Sequence, residues 1–294
     1  METKAEVMKA VAAVGLNEFA AEIEAQICPS IRISYPEQPA PASGIGQSRI
    51  GGLPDLPIGV EWPTASGYDR HHFDRVDPLL FLAQINLADV TPYDIHSLLP
   101  HSGLLLFFAA SWVNVLSEYR VSQGLWKVIY TEDLENLRPA SPPELPEGLN
   151  DDEDYPDNAP TGHAFRSSAL AFSLEMTIPQ AFEHPTIERI RSTEKDNEAF
   201  WDLKKLLYPE TEDDLPINHP PTHRMLGHAQ LDQVFSPNSN SILLLQLGSE
   251  IRSPRPADAS DIYWEFGGTG CFFIEPDALR NRDFSDIEFV YETD

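Results

Sequence analysis

Cysteine is nearly absent. Cys28 and Cys271 are the two thiols in 294 residues. Two cysteines cannot staple a chain of this length, so a disulfide-built scaffold is set aside and a reducing compartment, the cytoplasm, is expected. Basic residues are also scarce: 20 Lys and Arg stand against 47 Asp and Glu, a formal net charge of −27. Such a field repels phosphate backbones and anionic lipid, so neither nucleic acid nor a membrane surface is expected as a partner. Long apolar runs are missing too. The longest, near Gly103 to Trp112, falls far short of the ~20 residues that cross a bilayer. The first 30 residues carry Glu18, Glu22 and Glu24 and lack the apolar block of a signal peptide.

Chemistry-bearing motifs are as sparse. No G-x-S-x-G occurs, and "GGTG" at 267–270 lacks the G-K-[ST] ending of a phosphate loop. "NDDEDYPDN" at 150–158 lacks the glycine and distal glutamate of a calcium loop. His219, His223 and His228 are close in sequence, but two prolines separate the first pair, and a helical zinc spacing is ruled out. Cys271 sits on an apolar strand, where a thiol is usually inert. Cys28 ends a helix, where no dipole lowers its pKa. The reading is no cofactor, no metal and no catalytic residue; whether the chain is an enzyme stays open.

Proline is abundant, at 26 residues, against an average share of ~5%. It shortens regular elements and favours turns and edge strands. The sequence divides into an N-terminal helical segment (1–30), a β-rich half (31–138), an acidic Pro-rich loop (139–163) and a second β-rich half (164–294) packed on the first. Val7, Val11 and Val14, then Phe19, Ile23 and Ile27, recur at helical spacing around Gly15. "IRISY", "PLLFLAQINL", "SGLLLFFAAS", "GLWKVIY", "ALAFSLEMTI", "SILLLQLGS" and "GCFFI" read as strands. "DVTPYDIHSLLP" predicts a short helix or turn with Ile95, Leu98 and Leu99 inward. "TEDLENL" predicts a helical turn capped by Thr131. "EKDNEAFWDLKKLLY" predicts a helix burying Phe200, Leu203, Leu206 and Leu207. The fold class is α+β, with two duplicated, mainly antiparallel sheet units.

The duplication rests on order. Arg49-x-x-Gly52, then Gln84 inside an apolar run, then Gly103 before aromatics, is echoed by Arg224-x-x-Gly227, Gln246 and Gly270. A buried amide needs hydrogen-bond partners, so each glutamine is expected to tie down the backbone of a neighbouring loop. The segment "SRIGGLPDLPIGVEWP" at 48–63 reads as a preset loop. It lays Leu53, Leu56 and Trp62 on the sheet and leaves Arg49 and Asp55 free. His223 beside Arg224 reads as a polar rim.

Taken in order, these segments resemble the YwqG-like family of bacterial proteins, a domain of unknown function, over about residues 45 to 292. The resemblance is carried by Ser48, Gly51, Gly52, Pro54, Leu56 and Pro57; by Ala83, Gln84, Ile85 and Asn86; and by Trp264, Gly267, Gly270, Phe272, Phe273 and Ile274. Family members often place an acid before the last glycine of that turn, where this chain has Gly268 and Thr269. The family implies no established reaction, and its discussion near toxin and immunity loci suggests an immunity-type protein. Two functions follow. One is a non-catalytic binding protein whose acidic surface docks a basic protein, steered by acids at 151–157 and 210–214. The other is a small-ligand binder or enzyme with a cleft between the halves, lined by Arg49, Gln84, Arg224 and Gln246. The full set of candidate ligand-binding residues is Arg49, Gln84, Asn86, His223, Arg224, Gln246 and Trp264.

Overall fold

Thr3 begins the first helix by a reciprocal cap. Its Oγ1 accepts from Glu6 N–H, and the Glu6 carboxylate accepts from Thr3 N–H at 3.1 Å, which satisfies two orphan donors. The computed structural model describes residues 1–36, 44–66, 76–110, 124–143, 165–181, 184–208, 223–231, 240–249, 262 and 268–292. Helix α1 (Lys4–Ala13) ends before Gly15, whose φ of +88° turns the chain. A 3-10 turn at Asn17–Phe19 leads into α2 (Ala20–Gln26). Both pack with α4 (Pro185–Ile190) and α5 (Glu194–Leu207) around Val7, Val11, Ile23, Ile190, Phe200 and Leu203. The predicted α5 stripe holds except at Leu206, which is 47% exposed.

The strands form two large antiparallel sheets. One has the order β11 (Ala171–Thr177), β1 (Cys28–Ser34), β12 (Arg224–Met225), β13 (Ile242–Gly248), β14 (Thr269–Ile274), β15 (Ile287–Glu292). The other runs β10 (Ser168–Ala169), β2 (Arg49–Ile50), β6 (Leu80–Asn86), β7 (Leu104–Ala109), β8 (Trp126–Thr131). Two small pairs, β3 (Asp55–Pro57) with β9 (Leu137–Pro139) and β4 (Thr64–Ser66) with β5 (Val76–Pro78), flank them. Short helices α3 (Leu87–Val90) and α6 (Pro276–Arg280) complete the fold, which is α+β. The sheets exchange strands across the sequence halves. β1 precedes the first half's sheet but joins the second, and β10 follows the acidic stretch but joins the first.

The two sheets share local geometry. Arg49 stands opposite Gln84, and Arg224 stands opposite Gln246. β6 is irregular between Phe81 and Ala83, three and one residues before Gln84; β13 is irregular between Leu243 and Leu245, at the same offsets from Gln246. Two and three residues after each arginine the backbone enters the left-handed region: Gly51 and Gly52 at +66° and +70°, Leu226 and Gly227 at +60° and +68°. Leu226 holds a conformation a side chain rarely adopts.

Cross-strand partners share a face. Phe107 stands opposite Ala83, and Phe272 opposite Leu245. The two phenylalanine rings meet edge-on at 5.2 Å, Phe272 stacks on Phe289 at 4.6 Å, and Trp126 and Tyr130 reach Phe289 and Phe284. One apolar core thus lies between the sheets. Gln84 and Gln246 belong to the opposite parity and face away from it.

Three local expectations are corrected. Ile95 and Leu98 are 54% and 43% exposed, and only Leu99 is buried, because Asp94 Oδ2 accepts from Leu99 N–H and turns that residue alone inward. No helix follows Thr131: its Oγ1 accepts from Asp133 N–H, and Asp133 Oδ1 accepts from Glu135 and Asn136 N–H, a side-chain-stabilised turn that competes with helix. Leu53, expected on the sheet, is 38% exposed, while Leu56 and Trp62 are buried as expected.

Candidate functional site

Arg49 and Asp55 are not free; both are buried and paired to each other. Arg49 Nη2 lies 2.7 Å from Asp55 Oδ2, with side chains 7% and 2% exposed. The guanidinium also donates to Leu53 O at 2.7 and 3.0 Å and to Gly44 O at 3.2 Å. Gln84 Oε1 accepts from Asp55 N–H at 2.9 Å, and its Nε2 donates to Gln47 O and Asp55 Oδ2, each at 2.8 Å. Gly46 N–H completes the carboxylate's shell at 2.7 Å. The Pro/Gly-rich loop is therefore stitched to the sheet by charge-assisted bonds. Asn86 caps α3 through Ala88 N–H and donates to Gly46 O at 3.0 Å.

The second half repeats the plan with altered chemistry. Gln246 Oε1 accepts from Gln230 N–H at 2.8 Å; Gln230, like Asp55, lies six residues past its arginine. Arg224 Nη2 donates to Gln230 Oε1 at 2.8 Å and Nη1 to His228 O at 3.3 Å. An amide thus replaces the first half's carboxylate, and Glu175 from β11 supplies the negative charge, 3.2 Å from Arg224 Nε. His223 is no rim residue but 1% exposed. Its Nδ1 accepts from Gly248 N–H at 3.2 Å, and its Nε2 lies 3.4 Å from the Tyr35 hydroxyl. Trp264, His219 and the acidic stretches 151–157 and 210–214 lie outside the described residues.

Among the described residues, these side chains are not brought together in one cleft. Among the described residues the Arg49–Gln84 and Arg224–Gln246 networks have no hydrogen-bond partner in common, and both glutamines face away from the core between the sheets. Two concave places among the described residues lie elsewhere. A groove of about 800 Å³ runs along β8 where the two halves meet, between Trp126 and Tyr130 on one side and Phe284 and Ile287 on the other, with Lys127 and Arg282 beside them. A second cavity, of about 510 Å³, lies over the outer face of the six-stranded sheet. Its walls include Ile27, Cys28, Met176, Gln180, His228 and Phe273. Ile95 and Leu98, exposed to solvent, also border it.

The second cavity suppresses charge. Burial holds His228 down to about 4, outweighing the Gln26 carbonyl that would raise it. His228 Nε2 lies 2.7 Å from Gln26 O; a carbonyl only accepts, so Nε2 carries the proton and Nδ1 is the acceptor. Burial also lowers His184 and raises the Cys28 thiol. Four buried polar side chains cluster here as one another's partners: the Gln180 amide and the Arg224 guanidinium lie against the Tyr208 hydroxyl, and Arg224 Nε lies 3.2 Å from Glu175 Oε1. Sequence reasoning missed Gln180, His184 and Tyr208. The signal for Gln180 was available: an amide between Ile178-Pro179 and Ala181, the same pattern that singled out Gln84. Cys271 is a buried thiol whose pKa burial pushes up, as its apolar strand implied.

Two antiparallel sheets around a common core, with arginine–glutamine stitches on their outer faces, define an α+β protein whose motifs span nearly the whole chain. The chain belongs to the family described as Domain of unknown function (DUF1963), whose model matches residues 48–292; the YwqG-like motifs agree with it. Comparison with curated proteins gives no match. No helix among the described residues is long and apolar enough to cross a membrane.

Proposed function

We propose that this chain is a binding protein that takes a small, largely apolar molecule into the cavity over the outer face of the six-stranded sheet. One observation carries the reading. A space of about 510 Å³ with mostly apolar walls gathers Gln180, His184, His228 and Cys28, and apolar pockets with a few convergent polar groups and shifted pKa values are where ligands bind. Ile95, His96 and Leu98 of the first half border it, so a ligand there would touch both halves. Both described thiols are pushed up and His228 is held neutral, which suits holding a molecule better than attacking one. The test is a ligand screen by native mass spectrometry on the wild type and on Ala181→Trp, which fills the space from a buried wall position. Hits that vanish in the variant support the reading; hits unaffected by it overturn it.

The net charge favours a second reading, an acidic protein that docks a basic partner in the manner of an immunity protein. Association that slows strongly as salt rises supports it, and rates indifferent to salt count against it. We also infer that the two sheets descend from copies of one module in a bacterial cytoplasmic protein. The matching Arg–Gln registers, strand irregularities and left-handed turns support common descent, and two unpaired thiols suit a reducing compartment.

A further inference from the structure

We infer that the outer edge of β8 is a docking slot for an extended segment of a partner protein, which joins the five-stranded sheet as a further strand and sets an acid opposite Lys127. The slot is separate from the cavity over the six-stranded sheet.

β8 ends the five-stranded sheet and pairs on one side with β7. Ala110 N–H donates to Leu125 O at 2.7 Å, which fixes the phase of that ladder. Along an antiparallel strand the backbone groups point alternately toward the neighbour and away from it. Leu125, Lys127, Ile129 and Thr131 therefore turn theirs to β7. Trp126, Val128 and Tyr130 turn theirs outward, and among the described residues those N–H and C=O groups have no hydrogen-bond partner. A bare edge is a template for pairing, and proteins usually blunt it with proline, a bulge, a charge or a cover. The sequence of β8, WKVIYT, holds no proline and keeps an unbroken register with β7. It is rich in strand formers, and Lys127 is its one charge.

This edge is recessed between two walls. Trp62 packs on Phe108, the cross-strand partner of Lys127, so segment 60–64 walls the face of β8 that carries Lys127 and Ile129. Tyr130 stacks on Phe284, so segment 282–287 walls the opposite face. The groove of about 800 Å³ follows the unpaired edge between them.

A strand laid in it gains affinity from main-chain bonds and is read by alternate side chains, the mode of β-strand addition. Cross-strand neighbours share a face. Positions opposite Trp126, Val128 and Tyr130 meet Phe284 and Ile287 and call for apolar residues. The position opposite Lys127 meets an exposed ammonium. Arg282, the other cation of the lining, is already paired with Glu132, whereas Lys127 has no ion-pair partner among the described residues. The chain carries 47 acids against 20 bases, yet this groove sets Lys127 and Arg282 against Glu61 alone. That local reversal of charge selects an acid at this position. A second copy of the chain would bring its own −27 to the contact, a repulsion that a strand with one acid escapes.

The probe is acetyl-Val-Thr-Val-Glu-Val-amide, titrated into the isotope-labelled full chain and followed by NMR. Running antiparallel to β8, it sets its glutamate opposite Lys127. At saturation it should slow hydrogen exchange about tenfold at the amides of Trp126, Val128 and Tyr130, the groups turned outward. N-methylation of the central valine removes the N–H aimed at Val128 O and should weaken binding about tenfold. N-methylation of the threonine, whose N–H points away from β8, should change it little. Lysine in place of the glutamate should weaken binding about fivefold, and Lys127→Glu should invert that preference. Protection that falls on other residues, indifference to methylation of the central valine, or no binding by any of the peptides overturns the slot. A glutamate preference that is absent, or that Lys127→Glu leaves unchanged, overturns the acidic partner. A dimer of the chain alone that sedimentation shows the peptide to dissociate assigns this edge to a second copy and overturns the proposal as well.

Discussion

Asp55 closes on Arg49 at 2.7 Å in a site from which water is almost wholly excluded, with side chains 2% and 7% exposed. Breaking such a pair strands a charge, and the cost is ~3–5 kcal/mol. Asp55→Ala is therefore expected to lower the urea midpoint sharply, leaving the Arg49 guanidinium with carbonyl partners only. The pair Arg49→Met with Asp55→Leu should cost less than Asp55→Ala alone. Chemical denaturation of the variants checks both, and a double variant worse than the single would show that the ion pair is not the main term.

Gln84 and Gln246 perform one task in two sheets, each accepting from the backbone N–H six residues past its arginine. Replacing either with Leu leaves that N–H unpaired. Gln84→Leu and Gln246→Leu should each cost ~1–3 kcal/mol. Gln84→Leu should be the worse, since Gln84 Nε2 donates at 2.8 Å to both Gln47 O and the buried Asp55 carboxylate, whereas Gln246 Nε2 reaches the neutral Gln230 Oε1 at 3.4 Å. Equal losses would mean that the bonds to the carboxylate and to Gln47 O contribute no more than the contacts of Gln246.

Gly227 and Gly51 are fixed by both conformation and space. At Gly227, φ +68°, a Cβ would stand 2.6 Å from Ser30 Cβ and Thr177 Oγ1; at Gly51, φ +66°, it would stand 2.5 Å from Arg166 O. Gly51→Ala should be the more damaging, because backbone cannot move aside as a side chain can. Leucine is tolerated at 226 in the same left-handed region, so the expected loss comes mainly from contact. Melting temperatures of the two variants, read against Gly15→Ala, where a Cβ meets nothing within 4 Å, separate strain from collision.

Acid should weaken the fold through His228. Its pKa falls to about 4 in the folded protein from ~6.5 unfolded. Between those values the unfolded chain binds a proton that the native chain refuses, so this contribution is complete above about pH 6.5 and is lost as pH falls toward 4. The span corresponds to ~3 kcal/mol. His184 and Arg224, both repelling a proton on His228, act in the same direction. His228→Phe should flatten the stability profile between pH 4 and 6.5; an unchanged acid limb would assign it to carboxylates instead.

What the residues disclosed depended on range. The amides at 84 and 246 stood out because each interrupts an apolar run, and their role as backbone ties follows from burial alone. Helix α5 announced itself by period, and Leu206 misled because it sits at the edge of the stripe. Nothing local told Arg49 that Asp55 would fold back onto it; proline spacing gave a rigid loop but not its direction. The crossing of β1 and β10 between sheets was equally hidden, since periodicity says that a strand exists and not which edge it joins. The cavity draws its walls from residues as distant as Lys4 and Phe273, and no window of sequence holds it.

The contact of Phe107 with Phe272 makes the two sheets mutual solvents. Each presents an aromatic face that the other covers, and each relies on a strand lent from beyond its own stretch of chain. A ribosome releasing the first half alone would expose a bare, ring-studded surface until the second half arrived. The molecule is therefore committed to maturing as one piece, and a break in either sheet should be felt as loss of the whole.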